Sequence, residues 1–213
     1  MNKPLQKINT LLFDLDGTLV DSFSVHLEIF RLTFAHFGIQ LTEEKFLSSY
    51  SPNWYKIYEA FGLNKKDWDS ADAFWLREAE KITIHLFPGV KDMLLKLGEH
   101  YTLGLVTSGS KSRVERDIIA TGINTLFKTV VTGDDIKTPK PSPEGLEIAL
   151  RNLNTSANTS VYIGDSSADY EMAKAADIYF VGVISEFNSL SSNHPDYSVH
   201  SIIEIPILLG MKE

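Results

Sequence analysis

Short apolar runs alternate with longer amphipathic ones along most of the chain. Ile8 to Phe13 is an apolar-rich run halted by Asp14, the pattern of a strand buried on both faces of a parallel sheet. Runs of the same kind recur at 101–107 (YTLGLVT), 129–132 (TVVT), 160–165 (SVYIGD) and 179–183 (YFVGV). Between them Val90, Met93, Leu94 and Leu97 follow the i, i+3, i+4, i+7 spacing of one helix face, and Leu146, Ala149, Leu150 and Leu153 repeat it. This alternation predicts an α/β domain with a doubly wound, Rossmann-like parallel sheet.

The first alternation is interrupted. From Phe23 to about Leu86 no strand pattern occurs, only helical ones: Phe23, Leu27, Phe30, Phe34 and Phe37 on one face, then Trp68, Trp75 and Ile82. The stretch is too long for an ordinary crossover, and Phe87-Pro88-Gly89 marks the return to the sheet. The expected organisation is an α/β core made of 1–19 and 86–213, with an inserted all-helical cap domain at 20–85. The polar segment 185–196 (SEFNSLSSNHPD) reads as a surface connection.

Composition narrows the partners. The formal net charge of the 213 residues is -8 and no basic run occurs, which speaks against a nucleic-acid or anionic-membrane surface. Without cysteine there are no disulfides, no thiolate chemistry and no cysteine-bound zinc. No apolar stretch is long enough for a signal peptide or a membrane span. The expectation is a cytoplasmic protein, a monomer or weak homodimer, that must hold any anionic ligand with a few local groups.

Those groups are expected beyond the carboxyl ends of the strands, where open α/β sheets collect ligands. The first run ends in Asp14 and Asp16, the second in Thr107 and Ser108, the fourth in Asp165, and Lys140 arrives from the loop before it. Clustered carboxylates repel unless a cation joins them, and an oxygen-only ligand set favours Mg²⁺. A hydroxyl, a lysine and the amides of a glycine-containing turn suit the oxygens of a phosphoryl group. Together they suit phosphoryl transfer through a covalent aspartyl-phosphate. Each residue also has a plainer reading. An aspartate after a strand is ordinarily a turn or cap residue. Thr107 and Ser108 could cap the helix that follows, Asp169 could serve as a first-turn charge, and Lys140, like Lys137, could be a surface lysine.

The ordered motifs decide between these readings. The chain resembles a haloacid dehalogenase superfamily phosphatase: Asp14-Leu15-Asp16-Gly17-Thr18 is similar to its DxDGT signature, Thr107 to its second motif, Lys140-Pro141-Ser142-Pro143 to its third, and Gly164 to Asp169 (GDSSAD) to its fourth. The helical insert matches the cap that one subgroup, phosphoglycolate phosphatase-like and β-phosphoglucomutase-like, carries after the first strand. The resemblance implies Asp14 as nucleophile and Mg²⁺ ligand, and Asp16 as the acid and base that also offers its backbone carbonyl to the metal. It implies Thr107, with the amides of Leu15 and Ser108 and the Gly109 turn, as the phosphoryl cradle, and Lys140 as the neutralising cation. Asp165 becomes a Mg²⁺ ligand and Asp169 a support for that shell or for Lys140. His26 on the first cap helix matches a histidine that faces the substrate in the subgroup; a solvated helix histidine is the plain alternative. Tyr50, Asn53 and Trp54 could line a pocket, though cap aromatics are ordinarily core.

The implied activity is hydrolysis of a small phosphate ester, phosphoglycolate first and inorganic pyrophosphate as its competitor on the same fold. A phosphosugar mutase such as β-phosphoglucomutase is disfavoured, because such mutases tend to read DGV where this chain has DGT, and LSSYSPNWYK lacks their basic cap loop. A phospho-acceptor receiver module ends its third strand in the acceptor aspartate; TVVTGDD offers Asp134 and Asp135 there, but without the later Thr then Lys order, and the helical insert is foreign to such a module. A silent binding module would have no need of repelling carboxylates. A dinucleotide enzyme is excluded, since no G-x-G-x-x-G follows the first strand.

Overall fold

A computed structural model of the chain describes residues 7–49, 54–79, 81–82, 84–185, 190 and 195–211. Tyr50 and Asn53, and most of the segment 185–196, lie outside them.

The chain divides into two compact units, one formed by the residues up to Asp21 and from His85 onward, the other by Ser22–Ile84. In the first unit β1 (Thr10–Phe13), β2 (Thr102–Val106), β3 (Thr129–Val131), β4 (Ser160–Gly164), β5 (Tyr179–Val183) and β6 (Tyr197–Val199) form one parallel sheet. Their order is β3-β2-β1-β4-β5-β6. All four residues of β1 and all five of β4 are buried, which is why these runs carry no alternation. The chain passes from β3 at one edge to β4 on the far side of β1, so the order reverses beside β1 and opens the crevice in which ligands of such sheets bind. The fold is α/β, with a six-stranded parallel sheet and a helical insertion after β1.

Within this unit α5 (Val90–Gly98) buries all four residues of its predicted face. Of the predicted face of α7 (Glu144–Leu153), Leu146 and Ala149 are buried, and Leu150 and Leu153 pack partly buried beside them. The unit also contains α6 (Lys111–Ala120), α8 (Ser167–Ala175) and α9 (Ile205–Leu208). One sheet-side core joins Leu12, Val106, Val131, Leu146, Tyr162, Met172 and Phe180.

Two expectations need correction here. The sheet has a sixth strand, β6, which the pattern reading missed because three residues with an exposed serine in the middle make no apolar run. Nor is the preceding segment wholly superficial, since Leu190 is fully buried in the core cluster.

The second unit is helical: α1 (Ser22–His36), α2 (Glu43–Ser49), α3 (Trp54–Phe61) and α4 (Trp68–Ala79). Leu27, Phe30 and Phe34 of α1 are buried, and Phe37 falls just past the helix end. The unit is held by an aromatic core in which Phe34 stacks on Phe61 at 4.8 Å between ring centroids and Trp54 meets Trp75 at 4.7 Å. Buried polar anchors of this unit include Tyr58, whose hydroxyl donates to Asp72 at 3.0 Å.

Candidate active site

Strand register brings the predicted residues together. The ladder runs one residue past each strand: the Asp14 amide donates to the Ile163 carbonyl at 2.8 Å, and the Thr107 amide to the Val131 carbonyl at 2.9 Å. Asp14 and Thr107 are therefore pinned at the carboxyl edge, 5% and 3% exposed. Gly17 turns the chain immediately afterwards with φ +77°, and a Cβ there would fall on the Asp165 carboxylate. Only glycine permits both the turn and that approach.

Lys140 is the hub. Its Nζ donates to Asp14 Oδ1 at 2.6 Å, to Asp169 Oδ1 at 2.6 Å and to the Tyr162 hydroxyl at 2.8 Å, with the lysine side chain only 10% exposed. The loop before it is held by the Lys137 and Thr138 amides, which donate to Glu144. Lys137 itself is exposed, so burial separates the two lysines. Asp169 serves two purposes at once. Its Oδ2 completes a capping box with the Ser166 amide and hydroxyl at the start of α8, while its Oδ1 holds Lys140 and accepts from Tyr162 at 2.8 Å.

Charge in this cluster does not balance. Asp14, Asp165 and Asp169 place carboxylate oxygens within 4.8 Å of one another, and the Lys140 ammonium bonds only Asp14 and Asp169. Burial pushes Asp14 up to about 7 despite Lys140, with Asp169 and Asp16 adding to the rise. Burial likewise raises Asp165 well above the carboxylate range, and the neighbouring Asp169 and Asp14 raise it further. Asp169 is held below its ordinary value because Lys140, Ser166 and Tyr162 outweigh its burial. Lys140 is raised in turn by its two carboxylates against its own burial. Among the described residues no donor reaches Asp165. Three carboxylates and one lysine leave two negative charges, the charge of one divalent cation, and the uncommitted oxygens are hard ones. The residues present fit such an ion, with Asp14 and Asp165 as the available ligands.

Beside Asp14, the amides of Leu15 and Ser108 have no acceptor among the described residues. The Thr107 hydroxyl accepts from the Gly109 amide at 3.2 Å, and Gly133 N donates to the Gly109 carbonyl at 2.8 Å, tying the loop after β2 to the one after β3. Thr107 and Ser108 are not the helix cap considered above; α6 begins at Lys111 with Ser110 before it. An edge with spare amides, a hydroxyl and a shared ammonium is suited to phosphoryl oxygens.

The sequence matches the haloacid dehalogenase-like hydrolase family over residues 11–183. The chain belongs to that family. It is a hydrolase of the phosphatase kind. This haloacid dehalogenase-like hydrolase is 30% identical to pyrophosphatase PpaX of Oceanobacillus iheyensis, over 95% of its own length and 97% of that protein's. It is 31% identical to pyrophosphatase PpaX of Bacillus velezensis, over 97% and 99% of the two chains. Among solved structures, a Lactobacillus plantarum protein classed as a phosphoglycolate phosphatase superposes with a TM-score of 0.81 at 22% identity, covering 94% of this chain and 99% of that one. At that identity the likeness speaks for the fold.

Two residues of this cluster in the hydrolase escaped the sequence reading. Tyr162 reads as strand core and is fully buried, yet its hydroxyl joins Lys140 to Asp169. Arg113 reads as a solvated helix residue, yet its guanidinium grips Asp16 with Nη1 at 3.0 Å from Oδ1 and Nη2 at 2.5 Å from Oδ2. The pairing raises Arg113 further despite its burial. His26 belongs to the helical unit, where its ring meets Trp75 edge-on at 5.6 Å.

Proposed function

We propose that this hydrolase cleaves inorganic pyrophosphate with Mg²⁺ through an aspartyl-phosphate on Asp14. The observation that carries the reading is the Asp14 carboxylate, held at 2.6 Å from Lys140 Nζ, beside two amides and a second carboxylate that have no partner among the described residues. Asp14 attacks the phosphorus while the bond to the bridging oxygen breaks, its electron pair staying on that oxygen. Asp16 supplies the proton that the departing phosphate takes, then accepts one from the water that cleaves the acyl phosphate, which returns Asp14 and frees a second phosphate. Thr107 and the Leu15 and Ser108 amides hold the phosphoryl oxygens, within the turn that Gly109 makes, and Lys140 offsets their charge. Mg²⁺, held by Asp14, Asp165 and the Asp16 carbonyl, would supply further neutralisation, with Asp169 keeping Lys140 in place.

The sequence reading put phosphoglycolate first. Curated relatives named as pyrophosphatases, similar over nearly their whole length, move pyrophosphate ahead. Phosphoglycolate remains the second reading on the fold likeness alone. No helix among the described residues is long and apolar enough to cross a membrane; a cytoplasmic monomer or weak homodimer, and a role for His26 toward substrate, belong to the same proposal.

The test is phosphate release with and without Mg²⁺ from pyrophosphate, 2-phosphoglycolate, hexose phosphates and nucleotides. The expected result is Mg²⁺-dependent release, fastest from pyrophosphate and abolished by Asp14→Asn. Appreciable turnover in that variant would remove the covalent role, and a preference for 2-phosphoglycolate would restore the second reading.

A further inference from the structure

The guanidinium of Arg113 lies against Asp16, two residues beyond the Asp14 nucleophile, and the surroundings hold it there. Asp117, one turn along α6 and 3% exposed, lies 3.4 Å from Nη1; Arg116 binds the other Asp117 oxygen with Nε at 3.0 Å and Nη2 at 2.9 Å. The passage is cleared by Gly109, where a Cβ would fall on Arg113 Nη2. Arg113 is thus a braced side chain with its fork presented to the acid and base of the reaction.

A bidentate fork that fits a carboxylate also fits two oxygens of a phosphate. In the mechanism above Asp16 serves the departing oxygen, so its carboxylate occupies the neighbourhood of the leaving group. The leaving group of pyrophosphate is a phosphate that is already anionic when bound and needs a cation there, and Lys140 is already shared between two carboxylates. We propose that Arg113 is a specificity-determining residue that binds the leaving phosphate of pyrophosphate. The second phosphate takes the guanidinium from Asp16, and the freed carboxylate takes up a proton from solvent, which it then gives to the bridging oxygen as the phosphate leaves. Substrates with no anionic group on the leaving side of the bound ester, such as p-nitrophenyl phosphate, lack this exchange. The inference rests on the pyrophosphatase reading.

The experiment compares wild type, Arg113→Met and Arg113→Lys on pyrophosphate, 2-phosphoglycolate and p-nitrophenyl phosphate, with folding checked by circular dichroism. Inhibition by methylenediphosphonate, which cannot be cleaved, is measured alongside. Loss of a charge-assisted bidentate contact should lower the ratio of kcat/KM for pyrophosphate to that for p-nitrophenyl phosphate by about 10- to 100-fold in Arg113→Met. Much of the loss should appear in KM, the inhibitor should weaken in step, and lysine should restore part of it. A fall of equal size on every substrate would overturn the proposal and leave Arg113 only positioning Asp16. A ratio that falls for 2-phosphoglycolate alone would overturn it in favour of a carboxylate. Wild-type enzyme that cleaves p-nitrophenyl phosphate but not pyrophosphate would remove the substrate reading itself, whereas an active wild type with an undiminished Arg113→Met would remove only Arg113.

Discussion

Replacing Lys140 by methionine keeps the aliphatic stem and deletes the one charge that serves Asp14, Asp169 and Tyr162. Both ion pairs are 2.6 Å long, and the side chains of the lysine and its partners are 10%, 7% and 1% exposed, so solvent does little to screen them. Breaking a buried pair of this kind costs about 3–5 kcal/mol. For a protein of this size that is a drop of roughly 6–20 °C in Tm, at about 2–4 °C per kcal/mol. The sign of the pH dependence follows from the shifts. Lys140 is raised above its ordinary 10.5, so its contribution is fully present below that value and is lost only as pH rises through the raised one. The variant meanwhile finds relief at low pH, because Asp14, already pushed up to about 7, takes a proton readily once the ammonium is gone. The penalty should therefore be largest at pH 8 and shrink toward pH 5. Thermal melts of metal-free wild type and Lys140→Met at pH 5, 6, 7 and 8 measure it. A drop below about 2 °C at pH 8, or one equal at both ends of the range, would show that the ammonium does not hold these carboxylates.

Asp165→Asn should act in two directions. Asp165 is raised by burial and by its carboxylate neighbours, so its ionised form costs stability increasingly as pH climbs above the ordinary carboxylate range, and the amide escapes that cost. Metal-free Asp165→Asn should melt a few degrees higher at pH 8, on the order of 1 kcal/mol, with the advantage shrinking toward pH 5, while the rise in Tm that Mg²⁺ gives the wild type should largely vanish; an undiminished Mg²⁺ shift would take Asp165 out of the metal site. Thr18 has a fully buried hydroxyl with no partner among the described residues, so Thr18→Val should be neutral or stabilising by up to about 1 kcal/mol in urea unfolding. A loss above about 2 kcal/mol would mean that the hydroxyl is bonded after all.

The sequence by itself carried the α/β alternation, the helical insertion after β1 and the residues at the strand ends. These are legible because a strand buried on both faces must be apolar without a break, and because Asp14 to Thr18 is a local signature that needs no partner to be read. Which of those residues meet was decided by tertiary structure. Lys140 meets Asp14 across 126 positions, a contact that depends on β1 lying between β2 and β4. The dual service of Asp169 was half legible, since its place in the first turn of α8 is local whereas its grip on Lys140 is not. Tyr162 and Arg113 were hidden for opposite reasons: a tyrosine in a strand looks like packing, and an arginine on an amphipathic helix looks like solvent-facing charge. β6 was hidden because its three residues have no pattern of their own and become a strand only by pairing with β5. Local pattern records which face of an element is buried, but the charge balance around Asp14 depends on which distant loops the sheet order sets side by side.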